Sequence, residues 1–177
     1  MIPAAEGKRR NLALLSAALV MVLAVWFAGT AAVPALIGQG LITPGRAAWL
    51  TASVQLGFVA GTLVSAVLSL ADRVDARRLF LASALVAAAA TLAQVLVAPS
   101  GNAALLLRFV AGATMAGVYP VAMKLASSWA KGDLGLLIGI VVGALTLGSA
   151  LPHLIPAVLG SLDWRAAYLG AGVLAAV

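Results

Sequence analysis

The chain is written in long uncharged runs separated by short charged knots. No Asp, Glu, Lys or Arg occurs in 11–45, 47–71, 79–107 or 134–162. Apolar residues follow one another within these runs instead of alternating. A membrane strand would give segments of ~10 alternating residues. Each run is long enough for the ~20 mostly apolar residues of a membrane-crossing helix. In hydrocarbon a helix satisfies its own backbone donors and acceptors, so the runs read as helices. The pattern predicts helices near 12–36, 49–70, 79–98, 104–128 and 135–159, with a sixth over 164–177. Breakers separate them: Gly38, Gly40, Pro44 and Gly45, then Pro99 to Asn102, then Gly160-Ser161. The fold class is all-α, a polytopic transmembrane helix bundle.

Composition closes off the soluble alternatives. Of 177 residues, 64% are hydrophobic and 9% charged, against about 25% charged in a soluble domain. The formal charge of +6 does not point to nucleic acid, because the basic residues sit at helix ends and form no single soluble face. The absence of cysteine excludes disulfides, thiol nucleophiles and cysteine metal sites. No Ser-His-Asp set, phosphate-binding Gly-Lys-Ser/Thr loop or histidine pair is present. The chain therefore reads as no enzyme, with no catalytic or metal set and no cofactor. Its partners are read as the lipid bilayer and a small-molecule or ion substrate.

Charge sets an expected orientation. Lys8, Arg9 and Arg10, then Arg73, Arg77 and Arg78, then Lys124 and Lys131 fall on one side. Arg46 and Arg165 fall on the other. Cytoplasmic loops carry the excess of Lys and Arg, so the N-terminus is expected inside a multi-pass protein of the plasma or inner membrane. The apolar run after Arg10 exceeds the ~7–15 residues of a secretory signal core, so the first helix is read as retained. Trp49, Trp129 and Trp164 sit at predicted helix ends, where amphipathic rings prefer the interface. The sixth helix, at ~1.5 Å per residue, falls short of a ~30 Å core. The chain is expected to continue beyond Val177.

Several polar residues inside the runs are candidates. Arg108 lies near the outer end of the fourth helix. Two readings apply: it faces the bundle interior or a wet cavity, or it snorkels to the headgroups. At ~100° per residue, Arg108, Gly112, Met115 and Tyr119 share one face, a possible binding wall. Gly135, Gly139, Thr146 and His153 share a face of the fifth helix, flanked by Gly143 and Ser149. The series Gly135, Gly139, Gly143 allows close approach of a neighbouring helix. An imidazole can take up a proton near neutral pH, so His153 is read either as carrying a coupled proton or as packing through a hydrogen bond. Trp26 and Thr30 share a face of the first helix, and Gln55 and Thr62 one of the second. They line a cavity or pack between helices.

The loop Leu70 to Arg78 carries Asp72, Arg73, Asp75, Arg77 and Arg78. Read locally, it sets topology and caps helices, Asp75 at the start of the third and Arg73 at the end of the second. Read as a pattern, it resembles the loop Gly-x-Leu-Ala-Asp-Arg-x-Gly-Arg-Arg of the major facilitator superfamily. Leu70, Ala71, Asp72, Arg73 and Arg77 match, while Leu68, Asp75 and Ala76 depart. Arg108-x-x-x-Gly112 is similar to that family's Arg-x-x-Gln-Gly, and Asp163-Trp164-Arg165 is common in it. Ala144 and Leu147 replace a proline and a glycine of the family's antiporter motif, so an antiporter is not supported.

The resemblance implies secondary active transport of a small solute by alternating access. It implies two six-helix halves, each of inverted three-helix repeats, with residues 1–177 as the N-terminal half and a missing C-terminal half as partner. Helices one and four would line the cavity, and the Asp72–Arg78 loop would act as a conformational lock. The alternatives are a non-transporting membrane assembly or anchoring protein using its glycine faces, and a small self-associating channel.

Overall fold

A computed structural model describes the backbone of residues 5–159 and 163–177 and the side chains of 7–154 and 163–177. The expected breaker Gly160-Ser161 lies outside the described residues. The described residues form helices α1 (Ala5–Gly38), α2 (Pro44–Val67), α3 (Leu70–Arg73), α4 (Ala76–Leu92), α5 (Asn102–Thr114), α6 (Tyr119–Ser128), α7 (Leu134–Leu159) and α8 (Trp164–Ala176). Five segments are long and apolar enough to cross a membrane: Gly7–Gly38, Pro44–Val67, Ala76–Leu96, Asn102–Ser128 and Leu134–Leu154. With α8 they make six helical segments, numbered here as spans one to six.

Helix ends follow capping chemistry, which moves several expected boundaries. The second span starts at Pro44, not 49, because the Thr43 hydroxyl accepts the N–H of Arg46 at 3.2 Å. Pro44 sits in the first turn, where a missing N–H costs nothing. The second span stops at Val67, not 70. Ser69 then takes φ 51°, the left-handed region, and turns the chain into the separate four-residue α3. Arg73 therefore ends α3 and not the second span. Asp75 caps α4, its carboxylate accepting the N–H groups of Arg77 and Arg78 at 3.1 Å each. The third span ends in a 3-10 turn, Ala93–Leu96.

The expected continuous helix over 104–128 is corrected most. It is α5, a 3-10 turn at Met115–Gly117, and α6. Pro120 has no N–H to give a carbonyl one turn earlier, so the α ladder cannot run through this point. The tighter turn resets the angular register between Arg108 and Tyr119.

Spans one and four organise the packing. Span one (α1) packs mainly on spans five (α7) and six (α8); span four packs mainly on spans two (α2) and three (α4). Spans three and six also meet. Exchanging the first three spans for the last three leaves this pairing unchanged. Consecutive spans reverse direction, so spans one and four run oppositely and the two triplets are inverted copies. Glycine makes both equivalent crossings close. A Cβ on Gly57 or Gly61 would strike the backbone of Phe109 or Ala113, and one on Gly112 would strike Val54. Across the other crossing, a Cβ on Gly148 would lie 2.8 Å from the carbonyl oxygen of Val20. Without a hydrophobic drive between helices in lipid, such backbone approach supplies the association energy.

Gly57→Ala is expected to destabilise the bundle by about 1–3 kcal/mol through overpacking. Gly139→Ala, whose Cβ would meet nothing within 4 Å, should not. Thermal unfolding of both variants in detergent tests the contrast; equal midpoints for the two would refute it.

Candidate functional site

Arg108 is the largest of the fully buried side chains, 1% exposed. Its guanidinium crosses from α5 to α1 and donates through Nη1 to the Val25 carbonyl at 3.0 Å and through Nη2 to the Trp26 carbonyl at 2.7 Å. These carbonyls lie mid-way along Gly7–Gly38, so the side chain points into the bundle and does not snorkel. A helical carbonyl keeps a second lone pair for such a bond. Gly29 makes the room: a Cβ there would sit 3.0 Å from Cζ, Nε and Nη2 of Arg108. The five acids of the sequence all lie near helix ends. The buried cation is therefore held by dipoles and not by a carboxylate, and its Nε has no partner among the described residues. Tyr168 of α8 is 2% exposed and within electrostatic reach of Arg108. One turn before Arg108, the Ala104 carbonyl accepts from Nε2 of the buried Gln94 at 3.0 Å.

The expected wall of Arg108, Gly112, Met115 and Tyr119 is not one open face. Arg108 turns to α1, Gly112 abuts Val54 of α2, and Met115 is fully buried. Tyr119 lies beyond the 3-10 turn and packs on the core around Leu19 and Val22. What does open is a cleft of about 460 Å³ between α1 and α2, lined by Thr30, Val33, Ala47, Ala48, Thr51, Ala52 and Gln55. Thr30 and Gln55 thus meet, though they were picked on separate helices. Below them Trp26 stacks edge-on against Phe58, ring centroids 4.9 Å apart. Thr62 donates to its own helix, to the Phe58 carbonyl at 2.7 Å. The cleft shares α1 with the Arg108 tie, and Trp26 and Thr30 lie on either side of Gly29.

The fifth-span candidates are placed differently from expectation. Gly135, Gly139 and Gly143 are exposed, and among the described residues nothing lies within 4 Å of a Cβ built on them; close approaches are made instead by glycines such as Gly57, Gly61, Gly112 and Gly148. His153 is exposed too, with Nδ1 3.0 Å from the Ser149 carbonyl. Trp164, expected at the interface, is 3% exposed and covered by Arg165, whose Cζ lies 4.7 Å above the ring.

At the membrane faces, side chains clasp one loop to another. Lys124 of α6 donates to the Ala71 carbonyl and to Asp72, each at 2.6 Å. Lys8 of α1 donates to both carboxylate oxygens of Asp133 at 2.7 and 2.6 Å. Each hydrogen bond, with the ammonium charge behind it, holds its carboxyl below the ordinary carboxylate range. A lowered folded value means that pairing stabilises the fold above the unfolded pKa and is lost as pH falls through the folded one. On the other face Arg46 bonds the carbonyls of Pro99 and Gly101 and the side chain of Asn102. Arg73, Arg77 and Arg78 are exposed and outside these clasps. Lys124, Lys8, Gly29, Gln94 and Tyr168 were missed by the sequence reading. Their spacing carries no signal, since each partner lies in another span or loop, Gln94 reaching only across the turn into α5.

Residues 14–177 match the family model described as Major Facilitator Superfamily. The chain belongs to the major facilitator superfamily. No curated protein matches it closely enough to report. Membership makes it a multi-pass membrane protein of solute transport. The facilitator fold places the Arg108 tie between two spans that the inverted triplets make equivalent.

In this facilitator chain Arg108→Lys keeps the charge but offers one nitrogen to two carbonyls. It is expected to lower stability by about 1.5–3 kcal/mol, the worth of one hydrogen bond to a charged group. A melting temperature unchanged from wild type would show that the bidentate tie contributes nothing.

Proposed function

We propose that the chain is the N-terminal half-domain, residues 1–177, of a secondary active transporter that moves a small solute by alternating access. The observation that carries this reading is the cleft of Thr30, Thr51 and Gln55, built on the same helix that receives Arg108. A largely apolar cleft carrying a few polar groups and a bidentate tie, both on α1, let solute binding and helix position influence each other. Trp26, Thr30 and Gln55 contact solute in this reading, while Arg108 positions α1. Met115 and Tyr119 pack behind them. His153, exposed on α7, faces the second half.

The second half is a further six-helix bundle that completes the cavity. The open face of α7, with Gly135, Gly139 and Gly143 free of contact, supports a helix arriving from outside this chain. The same face also fits a self-associating assembly, which is the competing reading. The Asp72–Arg78 loop acts as the lock, Asp72 held by Lys124 and Arg73 free to engage the other half, with Arg77 and Arg78 closing the loop at the start of α4.

Flux separates the readings. Purified 1–177 in liposomes is expected to show no saturable solute flux, and flux is expected to appear once a second six-helix half is co-expressed. In the paired protein Asp72→Asn is expected to slow flux several-fold without loss of insertion. Saturable flux from 1–177 alone would replace the half-transporter by a self-assembling unit.

The N-terminus and the Asp72–Arg78 loop lie in the cytoplasm of the cell in this proposal, on the side of the positive charge. The chain has no cysteine of its own, so single cysteines report cleanly. Asn102→Cys is expected to react with an impermeant reagent added outside cells, and Val74→Cys is not; external labelling of Val74→Cys would reverse the orientation.

A further inference from the structure

The cations of the two membrane faces are used differently. On the face opposite the N-terminus, Arg46 is taken by the Pro99 and Gly101 carbonyls and by Asn102. Arg165 lies 3.7 Å from Asp163 and over the Trp164 ring. On the N-terminal face Lys8 and Lys124 are paired. Arg9, Arg10, Arg73, Arg77, Arg78 and Lys131 are left: all are exposed, their side chains have no partner among the described residues, and three of them, Arg73, Arg77 and Arg78, fall together where α3 meets α4. The nearest acids are already engaged, Asp72 by Lys124 and Asp75 by the N–H groups that open α4.

What lies below these guanidinium groups narrows the partner. At ~100° per residue, Arg78, Leu81 and Leu85 fall within about 60° of one face of α4. Leu81 is 59% and Leu85 47% exposed, with Val86 beside them at 47%. Ala82 between them and Ala89 beyond Val86 are exposed and keep the surface shallow. The buried residues of α4 are Ala84, Ala87, Ala88, Ala90 and Thr91, and the helix packs mainly on α5 and α8. Arg78 to Leu85 spans about 10 Å at ~1.5 Å per residue, the distance from a headgroup into the upper acyl region. No polar side chain interrupts the exposed rail, in contrast to the glycine, threonine and histidine face of α7.

We propose that the junction of α3 and α4 is a binding site for an anionic glycerophospholipid from the leaflet on the N-terminal side. Arg78, with Arg77, takes the phosphodiester, and Leu81 and Leu85 bed one acyl chain. Guanidinium forks suit phosphate oxygens. A zwitterionic headgroup brings its own cation against the same arginines, so an anionic lipid is preferred. The site concerns the bilayer and is independent of whether the cleft beside α1 binds solute.

The test uses the full chain in phosphatidylcholine vesicles with phosphatidylglycerol bearing a photoreactive acyl chain. Labelling is expected in the peptide around Leu81–Leu85, suppressed by excess unlabelled phosphatidylglycerol but not by phosphatidylcholine or inorganic phosphate. A juxtamembrane arginine is worth about 1 kcal/mol against an anionic surface, or about fivefold. R77Q/R78Q should therefore cut labelling several-fold, and R77K/R78K should keep most of it. Salt of about 0.5 M should weaken wild-type labelling through screening, a readout that needs no variant. Helical circular dichroism confirms that the variants fold. Labelling undiminished in R77Q/R78Q, equal suppression by phosphatidylcholine, or wild-type labelling insensitive to salt overturns the site.

Discussion

A guanidinium buried in a membrane bundle must find acceptors inside the protein, and the contact between Arg108 and the carbonyls of Val25 and Trp26 governs what surrounds it. Charge without hydrogen bonds is not tolerated there. The tie demands that span four lie against span one at mid-membrane, where Gly29 leaves room for the guanidinium, a Cβ there lying 3.0 Å from three of its atoms. Span four can hold that position because span two supports it from the other side through Gly57 and Gly61, with Gly112 returning the contact to Val54. Three glycines at one crossing and one at another thus fix the reach of a single arginine.

Inversion of the two triplets also explains the clasps. Exchanging spans one to three for four to six turns the link from the start of span four to the loop after span one into a link from the start of span one to the loop after span four. The first is Arg46 to Pro99, Gly101 and Asn102 on one face; the second is Lys8 to Asp133 on the other. The two use different chemistry for the same mechanical job, since one bonds neutral carbonyls and the other is an ion pair. Exposed ion pairs are weak and screened by salt, so the two faces respond differently to ionic strength although the backbone geometry is related by symmetry.

Much of the architecture was legible in the sequence because membrane helices announce themselves by length and apolarity alone. The charge-free runs marked spans one, two, three and five, and the loop residues from Leu70 to Arg77 together with Arg108 and Gly112 pointed to the family. Angular bookkeeping failed where the helix ceased to be an α-helix. A constant 100° per residue carried Arg108 onto the face of Met115 and Tyr119, and the 3-10 turn before Pro120 broke that count. Glycine spacing is a second case. Gly135, Gly139 and Gly143 show the regular period, yet the glycines set against other helices among the described residues include Gly57, Gly61, Gly112 and Gly148. A period says that one face is flat, not that a helix of the same chain lies on it. Gly29, Gln94 and Tyr168 owe their importance to partners in other spans, which no local pattern encodes.

The exposed surface itself divides by chemistry. The outer faces of α4 and α8 present Leu81, Leu85, Val86, Leu169 and Val173, side chains that lipid tails solvate as well as protein does. The open side of α7 presents Thr146 and His153 with bare glycine backbone among Leu136, Val142 and Leu147, and the α1–α2 cleft presents Thr30, Thr51 and Gln55 among alanines and Val33. Hydrocarbon has no hydrogen bonds to offer such groups and no shape to fill against glycine. A bundle that was all surface to lipid would carry leucine on every side. The one described here keeps polar and small residues for particular faces, and these are the faces on which water, a solute or a second bundle gives a lower free energy than acyl chains.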